Sequence, residues 1–160
     1  MRYRITVSIV GLLLLVAAPA WAAKLAPTTE NLVKILGDNG YQYKEMRGNK
    51  AILTGKQSVV SVSLNDKGLV YEGAISIGPK ADVDNTLAAL YAIYTTLEVN
   101  KGRTQMLNET VAMAKMSKLI EKVESALKVS NKTQFSFEKM EVLATRNDQT
   151  DSFTIGLKPR

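Results

Sequence analysis

Residues 57–78, QSVVSVSLNDKGLVYEGAISIG, read as two β-strands folded back on each other. Before Asn65, the residues Val60, Val62 and Leu64 fall on one face, with Ser61 and Ser63 on the other. After Gly68, the residues Leu69, Tyr71, Gly73, Ile75 and Ile77 share a face. A two-residue period marks a half-buried strand, because successive side chains point to opposite sides of the pleat. Between the strands sits Asn65-Asp66-Lys67-Gly68. Asn and Asp side chains accept bonds from nearby backbone N–H groups, and Gly supplies the positive φ that closes such a loop.

Upstream, residues 41–54 predict a first hairpin. Tyr41, Tyr43 and Glu45 alternate with Gln42, Lys44 and Met46, and Gly48-Asn49 suits a two-residue turn with Gly first. That register pairs Tyr43 with Thr54 and Met46 with Ala51. The pattern leaves the buried face open: Tyr41, Tyr43 and Ile52 lie on one side, and Met46, Ala51 and Leu53 on the other. Four strands in succession with short links make an antiparallel meander.

Helices flank the meander. Leu32, Ile35 and Leu36 give residues 29–37 a narrow apolar face, with Thr28 as the expected cap. After Gly78-Pro79-Lys80, Asp82 is a suitable N-cap, and Val83, Leu87, Leu90, Tyr91, Tyr94 and Leu97 recur at helical spacing over residues 82–99. A second long helix is expected over residues 104–129. Met106, Met113, Ile120 and Leu127 sit seven apart there, and Thr110, Met116 and Val123 fill the stripe. Residues 133–144 then read as one strand with a one-residue slip between Phe137 and Met140, residues 146–151 as a polar turn, and Phe153, Ile155 and Leu157 as a last strand. The order α-ββββ-αα-ββ predicts an α+β domain. It comprises a four-stranded antiparallel meander and a C-terminal hairpin, packed against two long antiparallel helices and one short N-terminal helix.

The N-terminus reads as a secretory signal. Arg2 and Arg4 precede an apolar run over residues 5–18, and Ala20-Trp21-Ala22 matches a cleavage site with the cut after Ala22. Residues 1–22 are then the signal and 23–160 one mature domain, periplasmic or secreted in a bacterial style, with no transmembrane segment. Removing the signal leaves 19 basic against 15 acidic residues, a net charge of +4. A modest positive charge favours anionic neighbours without choosing among them.

With no His and no Cys in 160 residues, Ser-His-Asp and Cys-His catalysis, thiol redox chemistry and nearly all zinc sites are excluded. Asp82-Val83-Asp84-Asn85 opens like a calcium loop, but Leu87 and Ile93 stand where Gly and Glu are required. Ser125-Ala126-Leu127-Lys128 matches Ser-x-x-Lys without the Lys-Thr-Gly strand that accompanies it in acyl-transfer enzymes. No phosphate-binding loop is present. The expected set therefore has no catalytic residue, no metal and no cofactor.

Lys115, Lys118 and Lys122 form a basic row on the second long helix, with Lys101 and Arg103 at its entrance. They suit an anionic envelope component. No aromatic residue interleaves the row, which argues against nucleic acid. Met106, Met113, Met116 and Met140, with Tyr91 and Tyr94, suggest a groove for peptide or lipid. The short helix, Gly40-Tyr41 and the meander together resemble the opening of type III secretion chaperone-like folds over about the first third of the mature chain. The later αα-ββ order and the secretory signal depart from that pattern, so the resemblance assigns no residue and no function. The expectation is a small exported module that binds a peptide, lipid or envelope partner and does not catalyse, with a homo-oligomer as one form. The alternatives are a metal-free hydrolase or lyase run on carboxylate and lysine, and a structural subunit of an envelope assembly.

Overall fold

Strands and helices fall in runs. A computed structural model describes residues 25–103 and 109–160. In chain order the elements are α1 (Pro27–Asp38), β1 (Gln42–Arg47), β2 (Lys50–Gly55), β3 (Ser58–Leu64), β4 (Val70–Ile77), α2 (Val83–Asn100), α3 (Glu109–Leu127), β5 (Lys132–Phe137), β6 (Met140–Asn147) and β7 (Ser152–Pro159). The strands make one seven-stranded sheet in the order β1-β2-β3-β4-β7-β6-β5, with every pair antiparallel. This is the α+β class, with the expected meander and C-terminal hairpin. β4 pairs with β7, so the two halves of the sheet join at its centre while α2 and α3 span the gap in sequence.

The central hairpin forms around the expected turn. The Asn65 side-chain oxygen accepts the N–H of Lys67 (2.9 Å) and of Leu69 (3.1 Å), and Gly68 sits at φ 71. Val60, Val62 and Leu64 are buried as read, but the partner strand departs from its simple alternation. Ser63 pairs with Glu72 and Leu64 with Val70, so Tyr71 is the extra residue of a bulge. Val70 therefore takes the core face with Gly73, Ile75 and Ile77, and Tyr71 is 40% exposed.

A second bulge settles the first hairpin. Met46 pairs with Ala51 as expected, but Tyr43 pairs with Leu53 and not with Thr54, because the register shifts at Lys44. The extra residue changes the phase of the pleat. Tyr41 before it and Met46 after it both turn toward the core, with Ala51 and Leu53. The Ser58 hydroxyl donates to the buried Tyr41 hydroxyl at 2.9 Å.

α1 begins two residues before the expected start, at Pro27, whose missing N–H costs nothing in a first turn. Thr28 does not cap it; its hydroxyl donates to the Asn100 side chain of α2 (2.7 Å). The Thr29 hydroxyl, fully buried, donates to the Gly68 carbonyl (2.7 Å), so α1 is tied to the central turn. Asp82 caps α2 as read, accepting the Asn85 N–H at 2.9 Å. α2 lies on β4 and β7, with α1 and α3 packed against it, and α3 also touches β5 and β6. Leu90, Ile93 and Leu97 of α2 are fully buried.

α3 buries Ala112, Met116, Leu119, Val123 and Leu127, with Met113 and Ile120 at the margins and Thr110 exposed. It ends at Leu127, and Val129 is 89% exposed. The expected start at Thr104, Met106 of the stripe and the whole signal segment lie outside the described residues. The slip expected between Phe137 and Met140 is a tight turn instead: Glu138 takes φ 51, and residues 133–144 divide into β5 and β6. The extra strand, β5, becomes one edge of the sheet. On the face away from the core the cross-strand row is Ile52, Ser61, Ala74, Gly156 and Leu143.

Candidate functional site

The basic row and the tyrosines come apart in three dimensions. Tyr94 is 4% exposed. Its hydroxyl donates to Glu138 (2.8 Å) and accepts from the Lys115 ammonium (3.0 Å), which also caps the Tyr94 ring at 4.4 Å from its centroid. Lys115 and Glu138 form an ion pair. Lys122 lies 4.4 Å from the centroid of Phe135 and donates to the Ser136 carbonyl. Lys118 is exposed between them. Tyr91 is half-buried against the core and joins none of these contacts, while Met116 and Met140 are fully enclosed and fill the core. Among the described residues, Tyr94, Met116 and Met140 are therefore enclosed in the core and line no open groove. Arg103 pairs with the buried Glu98 (3.3 Å) and donates to the Arg160 carbonyl (3.2 Å), and Lys101 is exposed.

The electrostatics of Tyr94, Lys115 and Glu138 are those of a clamp. Burial, then the bond to Glu138, push the Tyr94 phenol well above its ordinary value. Burial would raise the Glu138 carboxyl, but the bonds from Lys115 and Tyr94 outweigh it and hold the group below its ordinary value. A tyrosine that abstracts protons needs the opposite shift, toward the working pH. Each group satisfies its neighbours, and together they tie α2, α3 and the β5–β6 turn.

A pH dependence follows from the Glu138 shift. Its folded-state pKa lies below the unfolded value of about 4.3, so its contribution is complete above that pH and is lost as pH falls through the folded-state pKa. The melting temperature of the protein is therefore expected to exceed that of Glu138→Gln at neutral pH, with the gap closing on acidification below about pH 4. A gap that persists undiminished at pH 3 in circular-dichroism melts would show that the carboxylate charge contributes nothing.

A concave site lies on the other flank of α3. A cleft of about 490 Å³ opens between the start of α2, the C-terminal half of α3 and the start of β7. Ile77, Ala81, Ile120, Leu127 and Phe153 supply its apolar lining. Glu124, Lys128, Arg146 and Asp151 supply its charges. Arg146 is held by Asp148 (3.2 Å) and Asp151 (3.0 Å), whereas Lys128 has no ion-pair partner among the described residues. The volume suits a small ligand.

Only the apolar spacing of Ile120 and Leu127 signalled this site in the sequence. The remaining lining comes from β4, β6, β7 and the α2 entry, brought together by the β4–β7 join. Lys128, considered as half of Ser-x-x-Lys, is a rim cation here, and Ser125 is exposed on the surface. Among the described residues no group of three or more acidic side chains gathers as a metal site would require, and no helix is long and apolar enough to cross a membrane. No protein-family model matches the chain, and no curated protein or solved structure matches it.

Proposed function

We propose that the chain is a non-catalytic binding module, exported by its N-terminal signal, that takes an apolar chain with a polar or anionic head into the cleft between α2, α3 and β7. The cleft carries this reading: it combines an apolar lining, a volume of about 490 Å³ and a cation, Lys128, free to meet an anionic head. The half-buried Ile120 and Phe153 are apolar surface that a ligand would remove from water, which is the main source of affinity for such a ligand. Lipid fits better than peptide here, because the main-chain groups of a peptide would need partners that an apolar lining lacks.

Native mass spectrometry of the protein from an extracytoplasmic fraction tests this. A mature mass starting at Ala23 with a retained adduct is expected, and Ile120→Trp, which fills the cleft, should remove the adduct. A bare chain, or an adduct that survives the substitution, would count against the cleft; a mass that includes residues 1–22 would count against export.

A second reading, a structural subunit of an envelope assembly, has one observation in its favour. The face of the sheet away from the helices exposes Val59 (38%) and Leu143 (41%) beside the uncharged row Ile52, Ser61, Ala74 and Gly156. Sedimentation at rising concentration separates the two readings, because only a subunit assembles through that face and loses assembly on Leu143→Lys.

A further inference from the structure

Two strands end the sheet, β1 and β5, and they are guarded differently. β1 carries Lys44, Glu45 and Arg47 within six residues and is bent by the bulge at Lys44. Charges and bulges keep an edge from pairing with another chain. β5, KTQFSF, has a single charge at its first residue, and its register with β6 is unbroken from Lys132 to Phe137.

The outward groups of β5 follow from its pairing. Phe137 and Met140 flank a two-residue turn, and at the far end the Arg146 N–H donates to the Asn131 carbonyl (2.9 Å). Hydrogen-bonded and non-hydrogen-bonded residues alternate along an antiparallel pair. Thr133, Phe135 and Phe137 therefore bond to β6, and Lys132, Gln134 and Ser136 turn their N–H and C=O groups to the free edge, where the Ser130 hydroxyl already donates to the Lys132 carbonyl (2.9 Å) and accepts from the Lys132 N–H (3.4 Å). The Lys122 ammonium donates to the Ser136 carbonyl at 3.4 Å, as this assignment requires.

A basic flank of α3 runs beside that edge. At helical spacing Lys115, Lys118 and Lys122 share an arc of about 60°; the exposed Glu121 borders that arc beside Lys118, while Glu124 stands on the opposite flank, in the cleft. Lys115 is neutralised by Glu138. Lys118 has no partner among the described residues, and Lys122 has only a carbonyl and a ring.

We propose that the β5 edge accepts an extended acidic segment of another polypeptide as an eighth strand, with acids on its alternate residues meeting Lys118 and Lys122. Main-chain bonds to both groups of Gln134 and to the Ser136 N–H give such an addition its register, and the lysine flank gives it selectivity. A second copy of this chain fits less well. Twofold pairing of β5 would set two such lysine flanks side by side, and like charges at that range repel. This surface is independent of the cleft and stands or falls without it.

The test is fluorescence anisotropy of the full chain with two labelled ten-residue peptides, one of Val-Glu repeats and one of Val-Lys repeats. The Val-Glu peptide is expected to bind and to weaken as salt rises, and the Val-Lys peptide is not. Lys118→Glu with Lys122→Glu should reverse the preference. Gln134→Pro should weaken the acidic peptide at least about tenfold while melting no lower than Gln134→Ala, because the N–H it removes serves no bond to β6 and both variants lose the exposed side-chain bond to Glu141. A Val-Glu peptide N-methylated at alternate residues applies the same block from the ligand side and does not depend on a variant folding. Equal affinity for both peptides would overturn the proposal, as would binding indifferent to Gln134→Pro and to N-methylation. A concentration-dependent dimer abolished by Gln134→Pro would assign the edge to a second copy, and would overturn it too.

Discussion

Gly73→Ala is expected to destabilise the protein by about 1–3 kcal/mol, even though alanine loses less chain entropy on folding than glycine. Gly73 lies on the core face of β4, directly beneath α2. A Cβ built there would stand 2.4 Å from Cγ2 of Ile93 and 3.6 Å from Cγ1 of Val62. Ile93 is fully buried, and a β-branched side chain in a helix has one strongly preferred rotamer, so it cannot swing aside. The added methyl must push α2 away from the sheet. Ile93→Ala alone removes the opposing group and leaves a cavity, at an expected cost of about 2–5 kcal/mol. Combining the two should recover part of both losses, because the Gly73→Ala methyl enters the space Ile93 vacates. Urea denaturation of the four proteins gives the coupling, expected at about 1–2 kcal/mol in the favourable direction. Simple additivity would show that α2 does not rest on Gly73.

Leu36→Ala should cost about 3 kcal/mol, and the loss should be local. α1 spans 12 residues, below the length at which a helix persists alone in water. It is held by Leu32 and Leu36, both fully buried, and by the Thr29 hydroxyl on the Gly68 carbonyl. Removing the Leu36 side chain takes away one of the two fully buried apolar anchors of α1. Hydrogen exchange is expected to show the α1 amides losing protection while β3, β4 and β7 keep theirs. Equal loss across the sheet would mean that α1 unfolds only with the whole domain.

Much of the fold was legible because its period-two and period-3.6 stretches are long and sit between recognisable turns. Residues 57–78 gave the central hairpin, and Asp82 gave the entry to α2. What escaped was local backbone irregularity at residues with no special chemistry. Lys44 and Tyr71 are bulge residues, yet neither is of a type that marks a bulge, so each shifted the buried face by one position without warning. Glu138 occupies φ 51, a conformation the sequence would lead one to assign to Gly or Asn; it is held there by Lys115 and Tyr94. Hence the turn at Glu138 looks in the sequence like a slip within one strand, and nothing there marks the division into β5 and β6. The site was less legible than the fold. Lys115 and Tyr94 stood out by type and spacing, but spacing says nothing of Glu138 across the chain, which converts them from free groups into a clamp. The cleft draws its lining from five elements and from the loops that join them, and no local pattern marks it.

The most direct measurement is a calorimetric titration of the full chain with dodecanoate and with dodecyltrimethylammonium, each below its micelle concentration. The two share a tail and differ in the sign of the head. One saturable dodecanoate site is expected, with a negative heat-capacity change from apolar burial and weaker binding of the cationic amphiphile. Ile120→Trp should abolish dodecanoate binding, and Lys128→Glu should shift the preference toward the cationic head. Dodecanoate binding that is unchanged in Ile120→Trp, or no saturable binding of either amphiphile, would contradict the cleft as the ligand site.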